Sequence, residues 1–162
     1  MEKSKGKVET IASQVIGNVG LYYVCYRLSC QGWNVMPTAR NAKGVDVLIY
    51  NHDASRKLSI QVKALSKRNA VPLGTKLEHF FADFIVVCRY VLKEKPECFI
   101  LTPAEVRALA VRQEKDGRVS LWLAPRAYEA EDYREAWARI GLGVQSDVAS
   151  LPPNKSFEQT AR

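Results

Sequence analysis

Two short runs hold the residues best suited to chemistry, Gly44-Val45-Asp46 and Gln61-Val62-Lys63. Brought together, they offer one carboxylate, one amide carbonyl, one backbone carbonyl and one ammonium. Asp46 would supply an anionic oxygen, and the Gln61 side chain and Val62 backbone two neutral ones, a donor set of the kind Mg²⁺ or Mn²⁺ accepts. Lys63 would contact an attacking water or a phosphate. Such a set suits phosphodiester hydrolysis, in which a divalent cation neutralises the phosphate and acidifies a bound water.

The two runs must sit on paired strands for this to work. Val45 to Tyr50 and Leu58 to Ala64 are rich in Val, Ile and Leu, and the connector 51–57 carries turn residues, so a β-hairpin is expected. Alternation puts Gln61 and Lys63 on one face and Ile60, Val62 and Ala64 on the other. If Asp46 opposes Gln61, all three polar groups converge; a shift of one residue sends Asp46 to the other face.

The charge distribution points to an anionic partner. The net charge is +7, and residues 1–76 hold twelve Lys and Arg against four acids, whereas residues 77–162 hold twelve against thirteen. The whole surplus therefore lies in the N-terminal half, where Arg40, Lys43, Lys67, Arg68 and Lys76 bracket the candidate site and are placed to meet phosphates of DNA. A solvated basic face without a partner is the alternative.

Other chemistries find little support. Cys25, Cys30, Cys88 and Cys98 lack CxxC spacing and read as reduced core thiols rather than a zinc site or disulfides. His52 and His79 have no ligand-spaced companions, and Ser59 and Ser66 have no paired His. No apolar run is long enough for a signal peptide or membrane span, so a cytoplasmic protein with no membrane partner is expected.

Along the chain, apolar residues recur at helical spacing from Val8 to Gln31, with Gly17 and Gly20 as a weak point and Gly32 as a stop. Tyr22, Tyr23 and Tyr26 on this helix suit core or interface packing, and a homodimer is one expectation. Trp33 to Met36 is extended, and Asp83 to Val91 is apolar enough to lie inside a sheet. Cys98 to Leu101 is a further strand. Thr102-Pro103-Ala104-Glu105 opens a helix expected to reach Gln113. Val119 to Leu123 follows the Asp116-Gly117 turn as a strand, and 130–140 reads as an amphipathic helix ended by Gly141. With 47% hydrophobic and 25% charged residues the chain is globular. The expectation is a single α/β domain over 1–143, with a mixed central sheet flanked by helices, and a disordered tail over 144–162.

The order of long helix, Gly32-Trp33-Asn34-Val35, Gly-Val-Asp46 on one strand and Gln61-Val-Lys63 on the next resembles the PD-(D/E)XK nuclease superfamily in a QxK variant. The likeness is greatest to its restriction-endonuclease-like and Holliday-junction-resolvase-like branches. Ala82-Asp-Phe-Ile-Val-Val87 and Phe99-Ile-Leu-Thr-Pro-Ala-Glu-Val106 are similar to the second half of that fold. The resemblance covers roughly residues 8 to 110. It implies a restriction-endonuclease-like core, a Mg²⁺-dependent endonuclease acting on DNA, Asp46, Gln61 and Val62 at the metal, and Lys63 at the water.

One departure stands out. The superfamily's glutamate on the first helix, about eleven residues before its terminal Gly, falls on Leu21. Neither Glu9 nor Asp83 is placed at the site by spacing. With Gln61 in place of an acid, Asp46 is the sole formal negative charge there. A nuclease-fold protein that binds nucleic acid without cleaving it, and a homodimeric interaction module, therefore stand beside the enzyme as readings. The closing residues Pro152-Pro-Asn-Lys-Ser-Phe-Glu-Gln-Thr-Ala-Arg162 resemble tails of proteins encoded by bacterial integron cassettes.

Overall fold

The computed structural model describes residues 11–39 and 44–144. Arg40 and Lys43, Glu9 and the expected tail from residue 145 on lie outside them. Helix α1 (Ser13–Cys30) opens the described chain and runs through Gly17 and Gly20 without a break. Gly32, at φ +84°, stops it, and the N–H of Trp33 returns to the carbonyl of Leu28.

Strands β1 (Asn34–Pro37), β2 (Val47–Tyr50), β3 (Lys57–Leu65), β5 (Phe84–Arg89) and β6 (Glu97–Leu101) make a mixed sheet in the order β1-β2-β3-β5-β6. All its pairings are antiparallel except β3 with β5. A second sheet, ordered β4-β8-β7, joins β4 (Val71–Gly74), β7 (Val111–Lys115) and β8 (Arg118–Leu123). It lies on the face of the large sheet opposite α1.

Alternation along the strands builds one core on each face of the large sheet. Val86 and Cys88 join Val24, Leu28, Val47, Ile49 and Ile60 under α1. Ile85 and Val87 join Val71, Phe80, Leu123 and Tyr128 under the small sheet. Strand β5 is thus buried on both sides, as its unbroken apolar run requires. Gly20 sets the seating of α1: a Cβ there would lie 2.4 Å from the Cβ of Ala64 on β3.

Two helical expectations are corrected. Helix α2 (Pro103–Leu109) forms with the capping box of Thr102 and Glu105, but it ends four residues before Gln113. Residues 111–115 are drawn into β7, because Asp116 and Gly117 both take positive φ, 53° and 71°, and close a hairpin in which Lys115 faces Arg118. Residues 130–140 form no helix beyond the single turn Trp137–Arg139. The free edge of β6 claims their backbone instead: Ile100 N–H donates to the Tyr133 carbonyl and Glu135 N–H to that of Cys98. The short helix α3 (Pro125–Tyr128) precedes this edge strap.

Candidate functional site

Asp46 is anchored before its side chain is considered. Gly44, at φ +72°, lets the incoming chain pass the His79 carbonyl, which a Cβ would approach to 2.6 Å. The Asp46 carbonyl accepts the Thr38 N–H at 2.9 Å, and the Thr38 hydroxyl donates to the Val45 carbonyl at 2.7 Å. On the other side the Asp46 N–H donates to the Ile60 carbonyl at 2.9 Å.

That last bond changes the register expected from sequence. Val47 also faces Ile60, so two residues of the incoming strand oppose one of β3, which is a β-bulge. The bulge breaks alternation at Asp46. Its side chain does not share a face with Gln61 and Lys63. It turns along the sheet edge, where Oδ2 accepts the Val62 N–H at 2.7 Å. Oδ1 takes no hydrogen bond from the described residues.

Beside Asp46 an opening of about 280 Å³ is lined by Gly17, Asn18 and Leu21 of α1, by Thr38 and Ala39, and by Val62 and Ala64 of β3. Leu21 lines this opening together with Asp46, and this helix face presents no acid. Asp83 is committed elsewhere, with its Oδ2 accepting the Ser59 N–H and hydroxyl at 2.7 and 2.8 Å. No cluster of three or more His, Cys, Asp or Glu suited to a metal occurs among the described residues.

Gln61 and Lys63 occupy the opposite face of β3. The Gln61 Oε1 is buried without a hydrogen-bond partner among the described residues. A buried, unsatisfied carbonyl is costly in a native structure and marks a place where a donor or cation belongs. Lys63 is half-buried over the Phe80 ring, 5.8 Å from its centroid. Burial pushes its amine below the ordinary lysine value, and the Asp46 carboxylate works in the other direction. Val62 is therefore tied to Asp46 by a bond and Lys63 by charge, while no contact joins Asp46 to Gln61. The donors present, one free carboxylate oxygen and one orphaned amide oxygen, are of the type a divalent cation takes, with a single charge among them.

The basic residues divide. Lys67 and Lys76 are exposed. Arg68 grips Glu129 through two bonds, Nε to Oε1 at 2.6 Å and a second guanidinium nitrogen to Oε2 at 2.8 Å, so it is an ion-pair partner in this structure. Thr38, which holds Asp46 in place, is a site residue that the sequence motifs do not include. A hydroxyl residue directly after the strand-ending Pro37 is the signal for it.

No protein-family model matches the chain, and no curated protein matches its sequence. Among solved structures, a bacterial homing endonuclease superposes with a TM-score of 0.54 at 19% identity, over 82% of this chain and 93% of that one. A Holliday junction resolvase, Hjc of the archaeal hyperthermophile Archaeoglobus fulgidus, gives a TM-score of 0.44 at 16% identity, over 66% of this chain and 89% of its own. At such identities the likeness is one of architecture, and the architecture is restriction-endonuclease-like, a mixed sheet flanked by helices.

Proposed function

We propose that this protein is a Mg²⁺-dependent DNA endonuclease built on Asp46, Gln61, Val62 and Lys63. The observation that carries the reading is the entry to β2: a carboxylate held on the Val62 N–H, with one oxygen free among the described residues, and next to Val62 along β3 an orphaned buried amide oxygen and a partly desolvated lysine. Fold likeness to a bacterial homing endonuclease supports it. The Asp46 carboxylate and the Val62 carbonyl would hold the cation, and the Gln61 carbonyl, which lies on the other face of β3 in this structure, would have to swing past the strand to join them. The cation would supply a water acidified for attack and charge neutralisation at the phosphate. Lys63 hydrogen-bonds the attacking water or the scissile phosphate, and its desolvation strengthens that bond. Lys67 and Lys76, with Arg40 and Lys43, bind flanking phosphates.

Incubation of the purified protein with linear, branched and single-stranded DNA in Mg²⁺ or Mn²⁺ tests this reading. Cleavage of at least one form, lost in D46A and K63A, is expected. Absence of cleavage from all of them with either metal would sink it. Titration of Mn²⁺ by calorimetry gives a second readout, since D46A should abolish the binding heat.

A second reading rests on the helix face that meets Asp46. With Gly17, Asn18 and Leu21 there, the site holds one formal charge, which favours a nuclease-fold protein that binds DNA and does not cut it. Salt-sensitive binding that D46A leaves unchanged, without cleavage, would select this reading. A homodimer has its own observation: Val15, Tyr22 and Tyr26 lie on one face of α1 and are 48%, 64% and 63% exposed. Sedimentation of wild type against Tyr26→Lys decides it.

A further inference from the structure

We infer that the β7–β8 hairpin seats in a groove of duplex DNA, making the small sheet a recognition element for the substrate. This rests on the reading of DNA as the substrate. All five residues of β7 are exposed, an unusual state for a strand whose other edge is free. The pairing register sorts the hairpin's side chains by face. Arg112 with Leu121 and Glu114 with Val119 look toward the body, where Leu121 packs on the core and Arg112 takes the Glu114 carboxylate at 2.9 Å. Lys115 with Arg118, Gln113 with Ser120 and Val111 with Trp122 form the outer face, beside Pro72 of β4.

The outer face holds no acid. At its tip Lys115 and Arg118 stand directly opposite each other, and like charges so placed destabilise a hairpin. Neither makes an ion pair or side-chain hydrogen bond with the described residues, Asp116 of the turn included, so no salt bridge offsets their repulsion. A polyanion would. Behind the two cations come an amide and a hydroxyl, then an indole, the mix of groups that contacts phosphates and reads base edges. A two-stranded ribbon fits the major groove of B-DNA, about 12 Å wide. The hairpin is also physically linked to the candidate site. Its underside shares a hollow with Thr75, Lys76, Leu77 and Glu78, and at the next residue the His79 carbonyl abuts Gly44, just before Asp46.

The test uses D46N protein, so that substrate survives, and a fluorescein-labelled duplex followed by anisotropy over a salt series. Adding K115A/R118A should weaken binding and reduce the slope of log affinity against log salt by about 1.8, the release expected for two phosphate contacts. K93A/K95A removes the same charge from an exposed turn elsewhere and should leave the slope unchanged. Near-UV circular dichroism matching the parent shows that the hairpin variant is folded. An unchanged slope in folded K115A/R118A, or an equal loss in K93A/K95A, overturns the hairpin assignment and leaves the DNA reading standing. Failure of the D46N parent to bind any duplex overturns both.

Discussion

The carboxylate of Asp46 accepts the backbone N–H of Val62 at 2.7 Å, so the residue between Gln61 and Lys63 is the one that holds the acid in place. The bulge opposite Ile60 makes this bond available, because it leaves the Val62 N–H without the strand partner that regular pairing would supply. The acid therefore has two separable tasks, one mechanical and one electrostatic.

Substitution separates them. D46N keeps an oxygen for the Val62 N–H and loses the charge; D46A loses both. Both variants should lose DNA cleavage by roughly a hundredfold or more. D46A alone should also lose stability, by about 1–2 kcal/mol, the cost of an unmade buried hydrogen bond. Urea denaturation of the two variants beside a cleavage assay reads the difference, and equal stability of D46A and wild type would show that the bond contributes nothing.

Lys63 should behave as a residue kept at the expense of stability. Its amine is lowered from 10.5 chiefly by burial, so the fold disfavours the charged form. The sign follows directly: at neutral pH both folded and unfolded chains hold the proton and the penalty is complete. It fades as pH rises through the lowered folded value toward 10.5, where the unfolded chain also becomes neutral. K63M is expected to be inactive yet more stable than wild type by about 1 kcal/mol at pH 7, with the gain shrinking at alkaline pH. A K63M protein that melts below wild type at pH 7 would contradict this.

The contact between α1 and β3 offers a sharper steric test. Gly20→Ala places a methyl 2.4 Å from that of Ala64, and overpacking of this kind costs about 1–3 kcal/mol despite the better helix propensity of Ala. In an A64G background the same substitution should become neutral or stabilising. A thermal-melt double-mutant cycle measures the coupling, and strict additivity would refute the contact.

Arg89 is the buried charge on which acid stability should depend. It is 6% exposed, lies over the Phe99 ring at 4.9 Å, and bonds Glu97 at 2.7 Å as well as Glu129. Burial opposes the lowering of Glu97, but Arg89 and Arg134 outweigh it; Glu129 is lowered first by Arg68 and then by Arg89. Both carboxylates therefore add stability above the ordinary value of 4.5, and that stability is lost as pH falls below it through their lowered values. R89M should cost about 1–3 kcal/mol at pH 7, because Glu97 keeps Arg134 and Glu129 keeps Arg68 while each loses its buried partner, and its stability should depend less on pH between 5 and 3. Chemical denaturation across that range checks both statements.

Much of the large sheet could be read from residue types, because its strands are either doubly buried, as in the run Ile85-Val86-Val87-Cys88, or bounded by clear turns. The Thr102 and Glu105 box and the Asp116-Gly117 turn were equally legible. What escaped was decided by distant backbone. Val71-Pro72-Leu73-Gly74 carries two poor strand formers and becomes β4 only by pairing with β8. Val111-Arg-Gln-Glu-Lys115 has the composition of a helix and is held extended by its hairpin partner. At the site, the residues were visible but the bulge was not, since it depends on the Asp46 N–H choosing the Ile60 carbonyl.

The one parallel seam, β3 against β5, divides the large sheet into two parts with different freedom to diverge. Asp46, Gln61 and Lys63 all belong to the amino-terminal part, a helix and a three-stranded meander joined by short connections. The hairpin belongs to the other part, and its underside meets a hollow lined by residues 75–78, from which the chain runs on to the His79 carbonyl beside Gly44. Descendants of this chain could exchange the face they show to a partner by altering residues 111–123, and inherit the reacting groups unchanged.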